Sequence, residues 1–135
     1  MFYMEINSIN ILSSAVNAAW LRNQVISNNI ANVDTPGFKR SIVRFEDILA
    51  DALSGKSFAG YVTNPRHIPI GNENVENLQP VVEKVDGTSY RMDGNNVDID
   101  NEMAQLAKNN VWYDALITRI SGEFNGIRDV INSGR

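Results

Sequence analysis

Ser27-Asn28-Asn29-Ile30-Ala31-Asn32-Val33-Asp34-Thr35-Pro36-Gly37-Phe38-Lys39 decides the fold: a helical pattern runs unbroken into it and does not resume fully until the last third of the chain. Proline lacks a backbone N–H, fixes φ, and pushes the preceding Thr35 out of the α region. With Pro36 at the second and Gly37 at the third position, the natural geometry is a type II turn. The first helix is therefore expected to end near Asn32 or Val33, with a sharp bend after it.

Upstream, Ile9, Leu12, Val16, Ala19, Asn23, Ile26, Ile30 and Val33 recur at alternating steps of three and four, an a/d heptad seam broken chemically only by Asn23. Trp20 flanks the seam, and the opposite face (Ser13, Asn17, Arg22, Gln24, Asn28) is polar but carries little charge. A helix of about 25 residues is about 37 Å long and cannot cover such a stripe with its own atoms. It needs a partner.

Downstream, Phe45, Ile48, Leu49, Ala52 and Leu53 have the spacing of a short amphipathic helix within Lys39 to Leu53, with Ser54-Gly55 as its stop. Between 56 and 96 the chain is punctuated by Gly, Pro and Asn, and only Val81–Val85 and Ser89–Met92 read as strands. Asp86-Gly87 between them fits a hairpin turn. The stretch is too poor in apolar residues to form a core and reads as an extended arm.

A second long helix follows, with Asp98 or Asp100 as its cap and Glu102 in its first turn. Its seam is Met103, Leu106, Asn110, Tyr113, Ile117, Ile120, Phe124, Ile127 and Ile131, broadened by Leu116 and Val130, with Asn110 as its single amide. Gly122 and Gly126, each costing roughly 1 kcal/mol of helix propensity against alanine, point to close approach of a neighbouring helix. The expected fold is mainly α: long N- and C-terminal heptad helices packed as an antiparallel coiled-coil-like pair, with a short helix and an irregular, β-containing middle arm. Its segments are 1–34, 35–55, 56–97 and 98–135.

Composition narrows the function. The 135 residues carry a net charge of −4 and no cysteine, so there is no basic footprint for nucleic acid and no disulfide or thiolate metal site. The N-terminus lacks the basic and apolar regions of a cleaved signal. His67 is the single histidine and lies in a Pro-rich stretch, and Asp98-Ile99-Asp100 with Glu102 lacks calcium-loop spacing and reads as helix capping. No catalytic residue, metal, cofactor or small-molecule substrate is expected. Asparagine occurs 18 times, often inside helical segments where it is a mediocre helix former. Ala15, Ala18, Trp20, Ala107, Val111, Trp112 and Ala115 lie outside the seams, so further surfaces are expected to be covered by other subunits; an intramolecular bundle is the plainer alternative. Lys39-Arg40 and Arg44 form a basic cluster, read as a solvated face or as an ionic contact to an acidic neighbour.

Asn28 to Lys39 resembles the N-terminal signature of the bacterial flagellar axial proteins, the rod, hook and hook-associated families. Asp93-Gly94-Asn95-Asn96-Val97-Asp98-Ile99-Asp100-Asn101-Glu102-Met103 is similar to the opening of the C-terminal helix of the rod proteins, and Tyr113 to Ile131 resembles the short proximal-rod members most. The resemblance implies a structural subunit whose terminal helices line a tube wall, stacked helically around the export channel of the basal body. It implies self-association and contacts with other rod proteins, membrane-ring and rod-adaptor components. It also implies passage through the flagellar type III export apparatus without signal cleavage, to the periplasmic side. The expected assembly interface is Ile9, Leu12, Val16, Asn23, Ile26, Asn28, Asn29, Ile30, Asn32, Pro36 and Gly37 with the C-terminal seam from Met103 to Ile131. A sister short rod protein and a soluble coiled-coil adaptor or export chaperone are the alternatives.

Overall fold

The computed structural model describes residues 2–54, 78–87 and 92–134, with side chains from residue 8 onward. His67 and most of the expected arm lie outside these. Five elements follow in order: α1 (Phe2–Ala31), β1 (Ser41–Arg44), α2 (Glu46–Leu53), β2 (Val81–Lys84) and α3 (Ile99–Ser133). The protein is mainly helical, with two long helices at its ends and a small sheet between them. No helix among the described residues is long and apolar enough to cross a membrane.

α1 ends at Ala31, within two residues of the expected stop. The Thr35 carbonyl accepts the Phe38 N–H at 3.3 Å and Gly37 has φ 70°, the type II turn that Pro36-Gly37 requires. A Cβ at Gly37 would meet no atom within 4 Å, so the demand for glycine is conformational rather than steric. Gly37→Val is expected to lower stability by about 1–2 kcal/mol through strain in the left-handed region, measured by urea unfolding; an unchanged midpoint would refute it.

α1 is the centre of the molecule and buries two sides. Ala18 packs with Phe45 and Leu78 in a buried cluster, against which Ala15, Ile48, Leu49 and Ala52 are half-buried. Small alanines on α1 leave room for the Phe45 ring and the apolar face of α2. Ala15 and Ala18, expected to await other subunits, are thus covered within the chain. Leu78, from the stretch read as an arm without a core, is only 2% exposed: a single leucine anchors it where composition over the whole segment had little to offer.

The other side of α1 meets α3. Asn29 reaches Glu102, while Ala19 and Asn23 accept from Asn109. Residues nearer the start of α1 therefore meet residues farther along α3.

Val81–Lys84 forms the expected strand, but its partner is Ser41–Arg44, paired antiparallel with Ser41 opposite Lys84 and Arg44 opposite Val81. Ser41–Arg44 lies inside Lys39 to Leu53, the stretch expected to hold the short helix, which forms only over Glu46–Leu53. Its Ile42-Val43 pair is β-branched and favours a strand, and the two-residue signal was too short to separate from the helical spacing that follows. Of the expected hairpin's second strand, only Met92 is described, and it lies in a turn.

Candidate assembly interface

The stretch 27–39 is held by amides rather than by apolar packing. Asn29 is 1% exposed, and its carboxamide takes both backbone groups of Ser41: Nδ2 donates to the Ser41 carbonyl at 2.8 Å and Oδ1 accepts the Ser41 N–H at 2.9 Å. The side chain serves the outer edge of β1 as a neighbouring peptide group would. Asn96 plays a similar part where the two strands end. Its Oδ1 accepts the Arg40 N–H at 2.7 Å and its Nδ2 donates to the Val85 carbonyl at 2.6 Å, bridging two backbone groups beyond the end of the ladder.

Asn95, with no exposed surface, closes the end of the first helix. Its Nδ2 donates to the carbonyls of Asn32, Val33 and Thr35 at 2.9–3.1 Å, while its Oδ1 accepts the Val97 N–H at 2.7 Å. Carbonyls beyond a helix C-terminus have no intrahelical donor and need such a partner. Gly37 N–H donates to the Asp93 carbonyl and Lys39 Nζ to the Gly94 carbonyl, completing a clasp between residues 32–40 and 93–97. Asp98 then caps α3 as expected, its carboxylate accepting the N–H groups of Asp100 and Asn101. The excess of asparagine now has a reason: at these positions the amide stands in for missing peptide partners.

The same chemistry sets the face that α3 presents to α1. Its buried residues are Glu102, Asn109 and Leu116, seven apart, each followed four residues later by a half-buried one, Leu106, Tyr113 and Ile120. Three of the nine expected seam residues, Leu106, Tyr113 and Ile120, are therefore turned inward. At three more the inward position is one residue earlier: Glu102, Asn109 and Leu116 are buried in place of Met103, Asn110 and Ile117, while Phe124, Ile127 and Ile131 are exposed. Burial of polar groups explains the rotation. Glu102 accepts from Asn29 at 3.0 Å and lies 3.6 Å from Arg40, and Asn109 donates to Ala19 O and Asn23 Oδ1 at 2.7 and 2.9 Å. Paired polar side chains tolerate burial, and a count of apolar positions passes over them. The heptad spacing of 102, 109 and 116 was visible in the sequence all the same.

Of the remaining expected interface residues, Ile26 is buried; Ile9, Leu12, Val16, Asn23, Ile30 and Asn32 are half-buried; Asn28, Pro36 and Gly37 are exposed. Asn29 spends its amide inside the chain. On α3, Met103, Ile117, Phe124, Ile127 and Ile131 are exposed, and so are Val111, Trp112 and Val130. The basic cluster is used internally: Arg40 pairs with Glu102, and Arg44 with Asp47 and Glu83. Arg22 binds Glu46 at 2.6 Å. Burial pushes the Glu46 carboxyl up, but the hydrogen bonds and charge of Arg22 outweigh it and hold the group below its ordinary value.

Comparison with known proteins agrees with this layout. The sequence profile of the flagella basal body rod proteins matches residues 9–39, which hold most of α1 and the Pro36-Gly37 turn. Relatives named flagellar basal body rod protein FlgB match nearly end to end. That of Bacillus subtilis (strain 168) is 37% identical over 124 residues, 92% of each chain. That of Yersinia enterocolitica is 33% identical over 125 residues, 89% of this chain and 90% of the relative. That of Escherichia coli (strain K12) is 31% identical over 131 residues, 89% of each. With identity of 31–37% over about nine-tenths of each chain, the chain belongs to the FlgB family of flagellar basal body rod proteins.

Proposed function

We propose that the chain polymerises helically as a subunit of the proximal rod, around the export channel, and links the rod to the membrane-ring and export-gate base. The family is structural and not enzymatic. The observation that carries the reading is α3: 35 residues long, it turns polar and apolar seam residues inward yet leaves Met103, Ile117, Phe124 and Ile131 exposed. An apolar row of this length on a subunit of an assembly marks a surface that neighbours cover. In this reading α1 and α3 form an antiparallel coiled-coil-like pair, and the interface comprises the exposed part of the C-terminal seam with Asn28, Asn32 and the Pro36-Gly37 turn. Asn29 and Asn109 hold the pair in register from within. Contacts that repeat head to tail without closing build such a filament. The partners are further copies, other rod proteins, membrane-ring and adaptor components, and the flagellar type III export apparatus that delivers the chain to the periplasmic side.

The test is complementation of a strain lacking the gene. Pro36→Ala and Phe124→Ser are expected to abolish or strongly reduce swimming and to leave basal bodies without a complete rod in electron micrographs, while the purified proteins stay soluble. Normal motility in both would sink the interface. His67→Ala is expected to leave swimming and secretion intact, as befits a structural subunit.

A further inference from the structure

α3 changes character past its middle. Its buried side chains, Glu102, Asn109 and Leu116, all lie in its first half. From Ser121 to Ser133 Glu123 is half-buried and every other side chain is exposed. The same stretch holds Gly122 and Gly126, which weaken a helix, and a Cβ at either would meet no atom within 4 Å. Tertiary packing supplies most of the stability of a helix, so an end with little buried surface and two glycines opens at low cost.

Within this stretch lies Asn125-Gly126, the one place where any of the 18 asparagines precedes a glycine. That pair carries a chemistry of its own. The Gly126 peptide nitrogen attacks Cγ of Asn125, and the new C–N bond closes a five-membered succinimide as ammonia leaves. Water then opens the ring to aspartate or isoaspartate. Glycine has no Cβ to obstruct the attack and allows the backbone angles it needs. Asn29, Asn95, Asn96 and Asn109 are each held at both the oxygen and the nitrogen of the carboxamide. Asn125 is exposed, and among the described residues its Oδ1 accepts from Arg128 Nη2 at 3.0 Å while its Nδ2 has no partner. The restraint on Asn125 is the helix itself. There the Gly126 N–H belongs to the hydrogen-bond ladder, and the helical backbone keeps its nitrogen out of line with Cγ.

We propose that Asn125 deamidates spontaneously in the free protein, through transient opening of the end of α3, and that it is the principal site of such ageing in the chain. Isoaspartate routes the main chain through the side-chain carbon and so adds one atom to the backbone. The hydrogen-bond ladder cannot keep its register past that atom, and Phe124 and Ile131 lose their common face. A chain left unassembled thus spoils its own helix, whereas one whose helix end is held by neighbours keeps its amide. This protection by assembly rests on the rod reading above; the chemistry of the free chain does not.

Peptide mapping by mass spectrometry tests it, on the full chain kept in mildly alkaline buffer, where the peptide proton is removed more readily. Deamidation is expected first at Asn125, ahead of Asn132, which is also exposed and precedes Ser133 at the end of the helix. Gly122→Ala leaves the dipeptide untouched and has room for its methyl group, so it acts by firming the helix and is expected to slow the reaction about fivefold. In denaturing urea, with no helix left to open, the two chains are expected to react alike and faster than either folded chain. An unmodified Asn125, a faster reaction at any other asparagine, or equal rates for folded wild type and Gly122→Ala would overturn the proposal. Chains recovered from purified basal bodies are expected to retain Asn125 when free chains of the same age have lost it; equal modification would overturn the protection by assembly. Failure of the rod reading shows elsewhere, in a wild-type chain that does not restore motility to the null strain.

Discussion

Asn95→Ala is expected to destabilise the protein by about 3 kcal/mol, a large share of the 5–15 kcal/mol that holds a typical domain folded. The substitution removes no apolar packing of consequence. It strips a donor from three carbonyls at the end of the first helix and an acceptor from the Val97 N–H, all of which the fully buried side chain serves at once. Each group left without a partner costs about 1–3 kcal/mol where water cannot replace it, and Asn32, Val33 and Thr35 are open enough for water to restore part. Asn95→Asp separates the two halves of the role. It keeps the acceptor for Val97 but sets a carboxylate oxygen against three carbonyls, so it is expected to be no better than alanine at neutral pH. Urea unfolding gives the magnitude, and hydrogen exchange at the Gly37 amide, which donates to Asp93 within the same clasp, gives the location. Wild-type midpoints in both variants would show that the clasp holds nothing.

Phe45→Ala is expected to cost about 3–5 kcal/mol, the range for truncating a buried aromatic ring. Phe45 is 3% exposed and clusters with Leu78, Ile48 and Leu49 and with Ala15, Ala18 and Ala52, whose short side chains cannot move in to fill a void. It also joins β1 to α2, so its loss loosens both from α1. Phe45→Leu, which keeps much of the volume, is expected to recover at least half of the loss. Trp20→Ala, at a larger but 55% exposed side chain, is expected to change the unfolding midpoint far less; an equal effect would mean that the core has been misplaced.

Both residues bear on what the sequence disclosed. The long helices, the type II turn and the Asp98 cap were legible because each has a local cause: a heptad period, a proline before a glycine, a carboxylate before a helix. The pairing of Ser41–Arg44 with Val81–Lys84 was not, since partners nearly forty residues apart leave no local trace and each strand has only four residues. The excess of asparagine was evident, but its purpose was not. Asn29, Asn95, Asn96 and Asn109 act on backbone groups distant in sequence, and nothing in a carboxamide says whether its partner lies in the same chain or the next. Glu102 and Asn109 show the limit of apolar periodicity. A face can be turned inward by polar residues that find partners there, and the apolar residues next to them are then left outside.

The clasp has one further consequence, for how much the chain between the helices is free to change. The chain leaves α1 at Asn32 and enters α3 at Asp98, and Asn95 ties these two points together. All that lies between starts and finishes at one place, as a loop already closed by bonds of its own. Lengthening a closed loop costs little, about 0.6 kcal/mol for each doubling, and moves neither end. The two helices can therefore keep a fixed spacing while the stretch between residues 54 and 78 gains or loses residues, so long as residues 32–54 and 78–97 keep their contacts.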